Sequence, residues 1–356
     1  MRDLRLAFFV LLRYNIGWYF VNPEARYVEA KGTALFLAAV LLLLCGAGCK
    51  KNDKTYAVDE NNAFAMGTFV SMKLYSDNGT KHSDAVLQMI YTLEDTISWR
   101  KENSPVAALN RTGRCTDAVV AEIISQCAPI SKATGGRFDL TVGAVSTLWD
   151  FDNGGHRPLK KELQAALELV DYTALRTKGD TVTCADGQQL DLGAVGKGLA
   201  CDLAIDYLKA TDVKGAVLSV GGSIGVFGSR DETGDPWRVG IRDPFNESGQ
   251  FGVITLKEGF VSTSGDYEKY FEQDGKRYFH ILDATTGLPA KSGLKSVTVV
   301  CDNGMLSDAL STACFLLGEE ASHPLLERYN AAAVFVDAEG NISIFGDIDF
   351  ARTDES

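Results

Sequence analysis

Positive charge is in short supply in this chain. Its 356 residues include 35 lysines and arginines against 47 acids, a formal net charge of −12. That balance argues against a broad surface tracking nucleic-acid phosphates, which needs clustered cations, but it leaves room for a small anion held by one cation or metal. Histidine is scarcer still, at four. The eight cysteines contain no Cys-x-x-Cys pair, which speaks against a zinc cluster, and the six beyond Cys49 are not spaced as a disulfide framework. After Lys54 there is no internal repeat, no low-complexity stretch and no Pro/Gly/Ser linker to divide the chain. Hydrophobic residues make up 46% and charged residues 23%, values that suit a globular protein with a sizeable core.

The longest apolar run is short. Residues 34–44 (ALFLAAVLLLL) number eleven, where a membrane-spanning helix needs roughly 20. The run matches the apolar centre of an export signal. Gly46-Ala47-Gly48-Cys49 and the polar stretch Lys50-Lys51-Asn52-Asp53-Lys54 follow it. Small residues before a cysteine resemble a bacterial lipobox, with Gly46 where leucine is usual. Residues 1–49 therefore read as a leader with export signal and lipobox, and residues 50–62 as a short tether. The expected location is the cell membrane, lipid-anchored at Cys49 and facing the periplasm or the exterior. An uncleaved anchor or a buried apolar helix is the alternative.

Beyond the tether, strands and helices alternate. Residues 64–75 read as a strand, and Val86, Ile90, Leu93 and Ile97 fall on one helical face. Asp117 is placed to cap a helix carrying Ile123, Ile124, Cys127 and Ile130, and Pro158 to open another. Leu199, Leu203, Tyr207 and Leu208 mark a helix just after Leu190-Asp191-Leu192, read as a short strand. The second half is richer in strands, interrupted by helices around 306–317 and 321–329. Many successive strands with few intervening helices point to an α+β fold.

Several clusters are candidates for chemistry. In Gly193-Ala194-Val195-Gly196-Lys197-Gly198 a helix begins with lysine in its first turn. Free N–H groups there attract phosphate and glycines permit its approach, although a glycine turn beside a solvated lysine accounts for the same residues. Neither the Walker pattern nor Gly-x-Gly-x-x-Gly is met. Asp308 and Thr312, at i and i+4, share one helical face and offer two hard oxygen donors for Mg²⁺. The plainer account has Thr312 bonding back to the carbonyl of residue 308. His280, at a strand end with Tyr278 and Leu282 on its face, is a candidate general base or a half-buried structural histidine. Gly135-Gly136-Arg137-Phe138-Asp139 can admit a flat ring or form a simple turn.

Taken in order, these segments resemble the ApbE family of FAD:protein FMN transferases. The likeness runs from Met66-Gly67-Thr68 to about Gly318 and includes SWRKENSPVAALN at 98–110, Gly135 to Asp139 with Trp149 beyond, and Asp191 to Gly198. Ser219-Val220-Gly221-Gly222, Ser262-Thr263-Ser264-Gly265, His280 to Gly287 and Asp308 to Thr312 complete it. The resemblance implies a T-fold-like architecture of mixed or antiparallel sheets with packed helices, forming a single catalytic domain over 63–350 with an FAD cleft between two lobes. It implies Mg²⁺ held by the carbonyl of Ala194 with Asp308 and Thr312, and Ser311 near. Met66, Arg137, Phe138, Asp139, Asp191, Lys197 and Leu282 fall at FAD-contacting positions, and His280 falls near the reacting phosphate.

The implied reaction moves FMN from FAD to a threonine of an acceptor, a membrane redox-complex subunit with a Ser/Thr-rich flavinylation motif. An Mg-dependent FAD pyrophosphatase and a non-catalytic FAD-binding lipoprotein are the alternatives. Three positions depart from the family pattern. Ala284-Thr285 replaces proline and a basic residue, Phe279 replaces a frequent histidine, and Arg100 stands where many members stack a tyrosine on the flavin.

Overall fold

The computed structural model describes residues 56–246 and 248–353. The export signal, the lipobox at Cys49 and the start of the tether lie outside the described residues. The chain opens with β1 (Ala57–Ala65), β2 (Thr68–Ser76), α1 (Ser83–Ile97), α2 (Pro105–Thr112), β3 (Arg114–Thr116) and α3 (Ala118–Ala133). There follow α4 (Gly143–Trp149), α5 (Lys160–Leu167), β4 (Arg176–Lys178), β5 (Thr181–Thr183), α6 (Gly196–Lys209), β6 (Val213–Val220) and β7 (Ser223–Gly228). Next come β8 (Trp237–Arg242), β9 (Gln250–Leu256), β10 (Gly259–Gly265), β11 (Tyr270–Gln273), β12 (Lys276–Phe279), β13 (Leu282–Asp283) and β14 (Leu288–Pro289). The chain ends through β15 (Leu294–Cys301), α7 (Gly304–Leu317), α8 (Glu319–Arg328), β16 (Ala332–Asp337), β17 (Ile342–Phe345) and β18 (Asp349–Arg352).

An eight-stranded sheet in the order β1-β2-β6-β7-β10-β15-β16-β17 forms the spine, and each of its pairings is antiparallel. Side chains alternate across a strand, and here both faces are covered. Phe227, Phe260, Val299 and Phe335 point into the main core with the helices, while their neighbours Val226, Val261 and Val334 point the other way. There they meet Val239, Ile241 and Ile254 of the three-stranded sheet β18-β9-β8. The fold is therefore α+β, with antiparallel sheets and helices packed on the spine.

Local chemistry sets the helix ends. Ser104 accepts a hydrogen bond from Ala107 N at 2.9 Å with Pro105 in the first turn, and Gly113 closes α2 at φ +72°. Asp117 caps α3 through Val120 N at 3.0 Å, as its position in the sequence implies. Pro158 does not open α5. The helix begins at Lys160, where Glu162 accepts from Leu159 N at 3.0 Å.

Four other boundaries differ from expectation. The tether does not reach residue 62, because Ala57 onward is β1 paired with β2. The strand read at 64–75 is broken by a two-residue turn at Met66 and Gly67, both left-handed at φ +53° and +69°, as a tight hairpin requires. Leu190-Asp191-Leu192 forms no strand; Gln189 bridges Val142, and Asp191 N donates to Leu140 O at 2.8 Å. The strand ending in Leu282 stops at Phe279, so His280 and Ile281 lie in a break between β12 and β13.

Candidate active site

Two helices meet where the glycines of the Gly-Lys-Gly segment lie. A β-carbon on Gly198 would stand within 2.7 Å of Gly304's carbonyl carbon and of Asp308 Cβ, and one on Gly304 would stand 2.5 Å from Gly198 O. Backbone thus touches backbone at the crossing of α6 and α7, which only glycine allows. Gly196 has a similar function, packing beneath Ile97 and Met66. These glycines serve helix contact, a function that neither phosphate approach nor a plain glycine turn had offered. Asp202 fastens the crossing by accepting from Gly304 N and Met305 N, both at 2.6 Å. Burial raises its carboxyl to about 6, against the pull of those two bonds.

The crossing delivers Asp308 and Lys197 to one pocket. Asp308 is buried; its Oδ2 accepts from Gly198 N at 3.0 Å and its Oδ1 lies 3.6 Å from Lys197 Nζ. Lys197 also donates to Gly193 O at 3.2 Å. Burial raises the pKa of Asp308, with Lys197 opposing. Burial works against the charge of Lys197, but Asp308 and Glu268 outweigh it and raise the ammonium pKa. Thr312, one turn beyond Asp308, lines the same pocket, its Oγ1 3.2 Å from Ser264 Oγ. The hydroxyl that bonds back to the carbonyl of Asp308 is that of Ser311, at 2.9 Å, and Ser311 also meets Ser264 Oγ at 2.8 Å. Ala194 lines the same pocket.

His280 lines the pocket from the opposite strand break. Its N–H donates to Lys269 O at 3.0 Å, while its ring Nδ1 is buried without a hydrogen-bond partner. Burial, reinforced by Lys197 and Lys269, lowers the imidazole to about 3. Asp283 is not its partner: Asp283 Oδ1 accepts from Thr285 N at 2.9 Å, and its Oδ2 lies 3.9 Å from Arg137 Nε.

Arg137, Phe138, Asp139, Asp191 and Leu282 line the pocket too. Gly135 and Gly136, at φ +62° and +82°, make the left-handed turn that presents them. Arg137 Nη1 donates to Leu316 O at 3.2 Å. Asp139 is buried, with Oδ1 accepting from Thr141 N and Oγ1 and Oδ2 from Tyr172 N. Burial raises its pKa against those bonds. Asp191 Oδ1 accepts from Gly193 N at 2.9 Å, which folds the turn ahead of α6.

Met66 is the outlier. It sits at the β1–β2 turn, bonded through its N–H to Glu94 Oε1 at 3.0 Å and packed near Gly196, outside the residues that line the pocket. Arg100 is not poised as a free stacking group. Its guanidinium lies 4.2 Å over the Trp99 ring and pairs with Asp152, which also binds Lys269 at 2.9 Å.

Glu268 lines the pocket and was not singled out in the sequence, and Thr263 was named there only within Ser262-Thr263-Ser264-Gly265. The signal available for Glu268 was its place three residues beyond Ser262-Thr263-Ser264-Gly265.

The donor set suits a hard cation. Asp308 and Thr312 bring a carboxylate and a hydroxyl, both hard oxygen donors, into the pocket that Ala194 also lines. Among the described residues no group of three or more His, Cys, Asp or Glu side chains is placed to hold a metal, so a nitrogen–sulfur centre has no counterpart there.

Comparison with known proteins agrees with this architecture. The model of the ApbE family matches residues 66–336. An FAD:protein FMN transferase of Treponema pallidum is 31% identical over 332 residues, covering 85% of this chain and 91% of the relative. One from Klebsiella pneumoniae is 32% identical over 293 residues, covering 79% and 90%. The crystal structure of the ApbE protein of Thermotoga maritima superposes with a TM-score of 0.74 at 31% identity, covering 80% of this chain and 96% of the other. Apo flavinyl transferase ApbE of Pseudomonas stutzeri gives 0.71 at 30% identity, covering 84% and 96%. By the span of the family match and by these relatives, the chain belongs to the ApbE family.

Proposed function

We propose that this protein cleaves FAD and transfers its FMN half to a threonine hydroxyl of an acceptor protein, releasing AMP. The observation that carries the reading is the meeting of Asp308, Thr312, Ala194, Lys197 and His280 in one pocket, walled by Arg137, Phe138, Asp139 and Leu282. In the reaction the threonine oxygen bonds to the phosphorus on the FMN side, and the bond from that phosphorus to the bridging oxygen breaks. AMP leaves with the bridging oxygen.

Mg²⁺, held by the carbonyl of Ala194, the Asp308 carboxylate and the Thr312 hydroxyl, would supply positive charge to the diphosphate as that bond breaks. Lys197 adds a second positive group at the same place. The proton lost by the threonine passes to the imidazole of His280. The ring is neutral at physiological pH and its Nδ1 has no competing protein partner, while the negative charge of a bound diphosphate would oppose the lowering of its pKa by burial. Arg137, Phe138, Asp139, Asp191 and Leu282 surround the rest of the FAD.

The acceptor we favour is a membrane redox-complex subunit with a Ser/Thr-rich flavinylation motif, met on the outer side of the membrane by an enzyme tethered through Cys49. The apolar run at 34–44, followed by Gly46-Ala47-Gly48-Cys49, supports the tether. The test incubates the protein with FAD, MgCl₂ and such a subunit, and reads flavin fluorescence on a denaturing gel. A fluorescent acceptor band that requires all three components is expected. Release of AMP and FMN without that band would make the enzyme a hydrolase, and no AMP at all would make it a binder.

A further inference from the structure

Glu268 is the carboxylate in the pocket that the reaction above leaves unused. Asp139, Asp191 and Asp308 each accept a backbone N–H, whereas no described residue hydrogen-bonds Glu268. Its position is nonetheless built. Beyond β10 the chain turns through Asp266, held by Lys295 Nζ at 2.8 Å, and Tyr267, whose ring covers Gly265. This turn brings Glu268 over Gly222, where a β-carbon would stand 3.2 Å from Glu268 Oε1 and 2.9 Å from Thr263 O. The bare glycine leaves the space that the carboxylate occupies.

One ammonium shares the pocket with two carboxylates. Lys197 lies 3.6 Å from Asp308, and Glu268, which lines the same pocket, adds to the negative potential at the ammonium. A divalent cation arriving at Asp308 competes with that ammonium for the same oxygens and repels it. The ammonium needs a second anion to move toward, or the cation binds against an unrelieved like charge. We propose that Glu268 is a positioning residue for the metal: it receives the Lys197 ammonium when a divalent cation takes Asp308. The exchange frees Asp308 for the ion and keeps Lys197 in the pocket, beside the diphosphate it is to contact. This inference rests on Asp308 being a metal ligand, as proposed above.

The test is Mn²⁺ titration of the full-length protein in detergent, followed by the loss of the free-ion electron paramagnetic resonance signal and needing no turnover. Glu268→Gln keeps the shape and removes the charge. It is expected to weaken Mn²⁺ binding about ten- to hundredfold, the range for residues that support a metal ligand. In a Lys197→Met background the same change is expected to cost no more than about twofold, since no ammonium remains to be received. Equal losses in both backgrounds would mean that Glu268 acts on the ion directly, and no loss in either would mean that it has no part in binding; both overturn the exchange. Asp308→Ala separates this from failure of the metal site itself: if it binds Mn²⁺ as the unaltered protein does, the site and the exchange fall together.

Discussion

Substituting alanine at Gly198 tests whether the helix crossing sets the pocket. In an ordinary helix Gly→Ala stabilises by about 1 kcal/mol. Here the new β-carbon meets Gly304's carbonyl carbon and Asp308 Cβ at 2.7 Å, and these are atoms that cannot rotate away. Gly304's carbonyl oxygen lies closer still, so reaching ordinary contact distance requires α6 and α7 to separate by more than about 1 Å, and overpacking of this kind costs about 1–3 kcal/mol. The same separation stretches the bond from Gly198 N to Asp308 Oδ2, now 3.0 Å. A hydrogen bond to a charged group contributes about 1.5–3 kcal/mol. After the helix gain is subtracted, Gly198→Ala should lose about 1.5–5 kcal/mol in urea denaturation and most of its FAD turnover.

Gly196→Ala is the control. Its β-carbon would meet only side-chain ends, Ile97 Cδ1 at 2.7 Å and Met66 Cε at 3.1 Å, which can shift, so its stability should change by less than about 1 kcal/mol. If Gly198→Ala were as stable and active as the unaltered protein, or Gly196→Ala the worse of the two, the crossing would not position Asp308.

Three further outcomes are expected. Asp308→Asn should abolish Mg-dependent FAD cleavage and lower the melting temperature of the metal-free protein, because it leaves the Lys197 ammonium without its nearest carboxylate. His280→Ala should retain FAD binding by fluorescence quenching but lose transfer; equal loss of both would give His280 a structural role. The histidine also leaves a mark on stability against pH. With its folded pKa near 3 and the unfolded value near 6.5, the unfolded chain binds the extra proton between them, so stability falls as pH drops below about 6.5. Urea midpoints from pH 7.5 to 5 should show a shallower decline for His280→Ala.

What was legible in the sequence is what depends on near neighbours. The Asp308 and Thr312 pair follows from helical spacing alone, and α7 holds both at the pocket. The cap at Asp117 is equally local. Features that depend on distant partners were missed. The Met66 turn did not announce itself, since a methionine at positive φ is exceptional and the hairpin is closed by pairing along its whole length. Gly198 reads as a phosphate-binding glycine until Gly304, more than a hundred residues away, is seen against it. Glu268 enters the pocket only because the end of β10 lies beside α6, an adjacency that no local pattern encodes.

The reading depends most on Asp308, Thr312 and Ala194 sharing one divalent ion. Crystals soaked in MnCl₂ and measured at the manganese absorption edge test this directly. A single anomalous peak about 2.1–2.2 Å from the Asp308 carboxylate, Thr312 Oγ1 and Ala194 O is expected. No peak at the pocket, or a peak held by other residues with these three oxygens turned away, would contradict it.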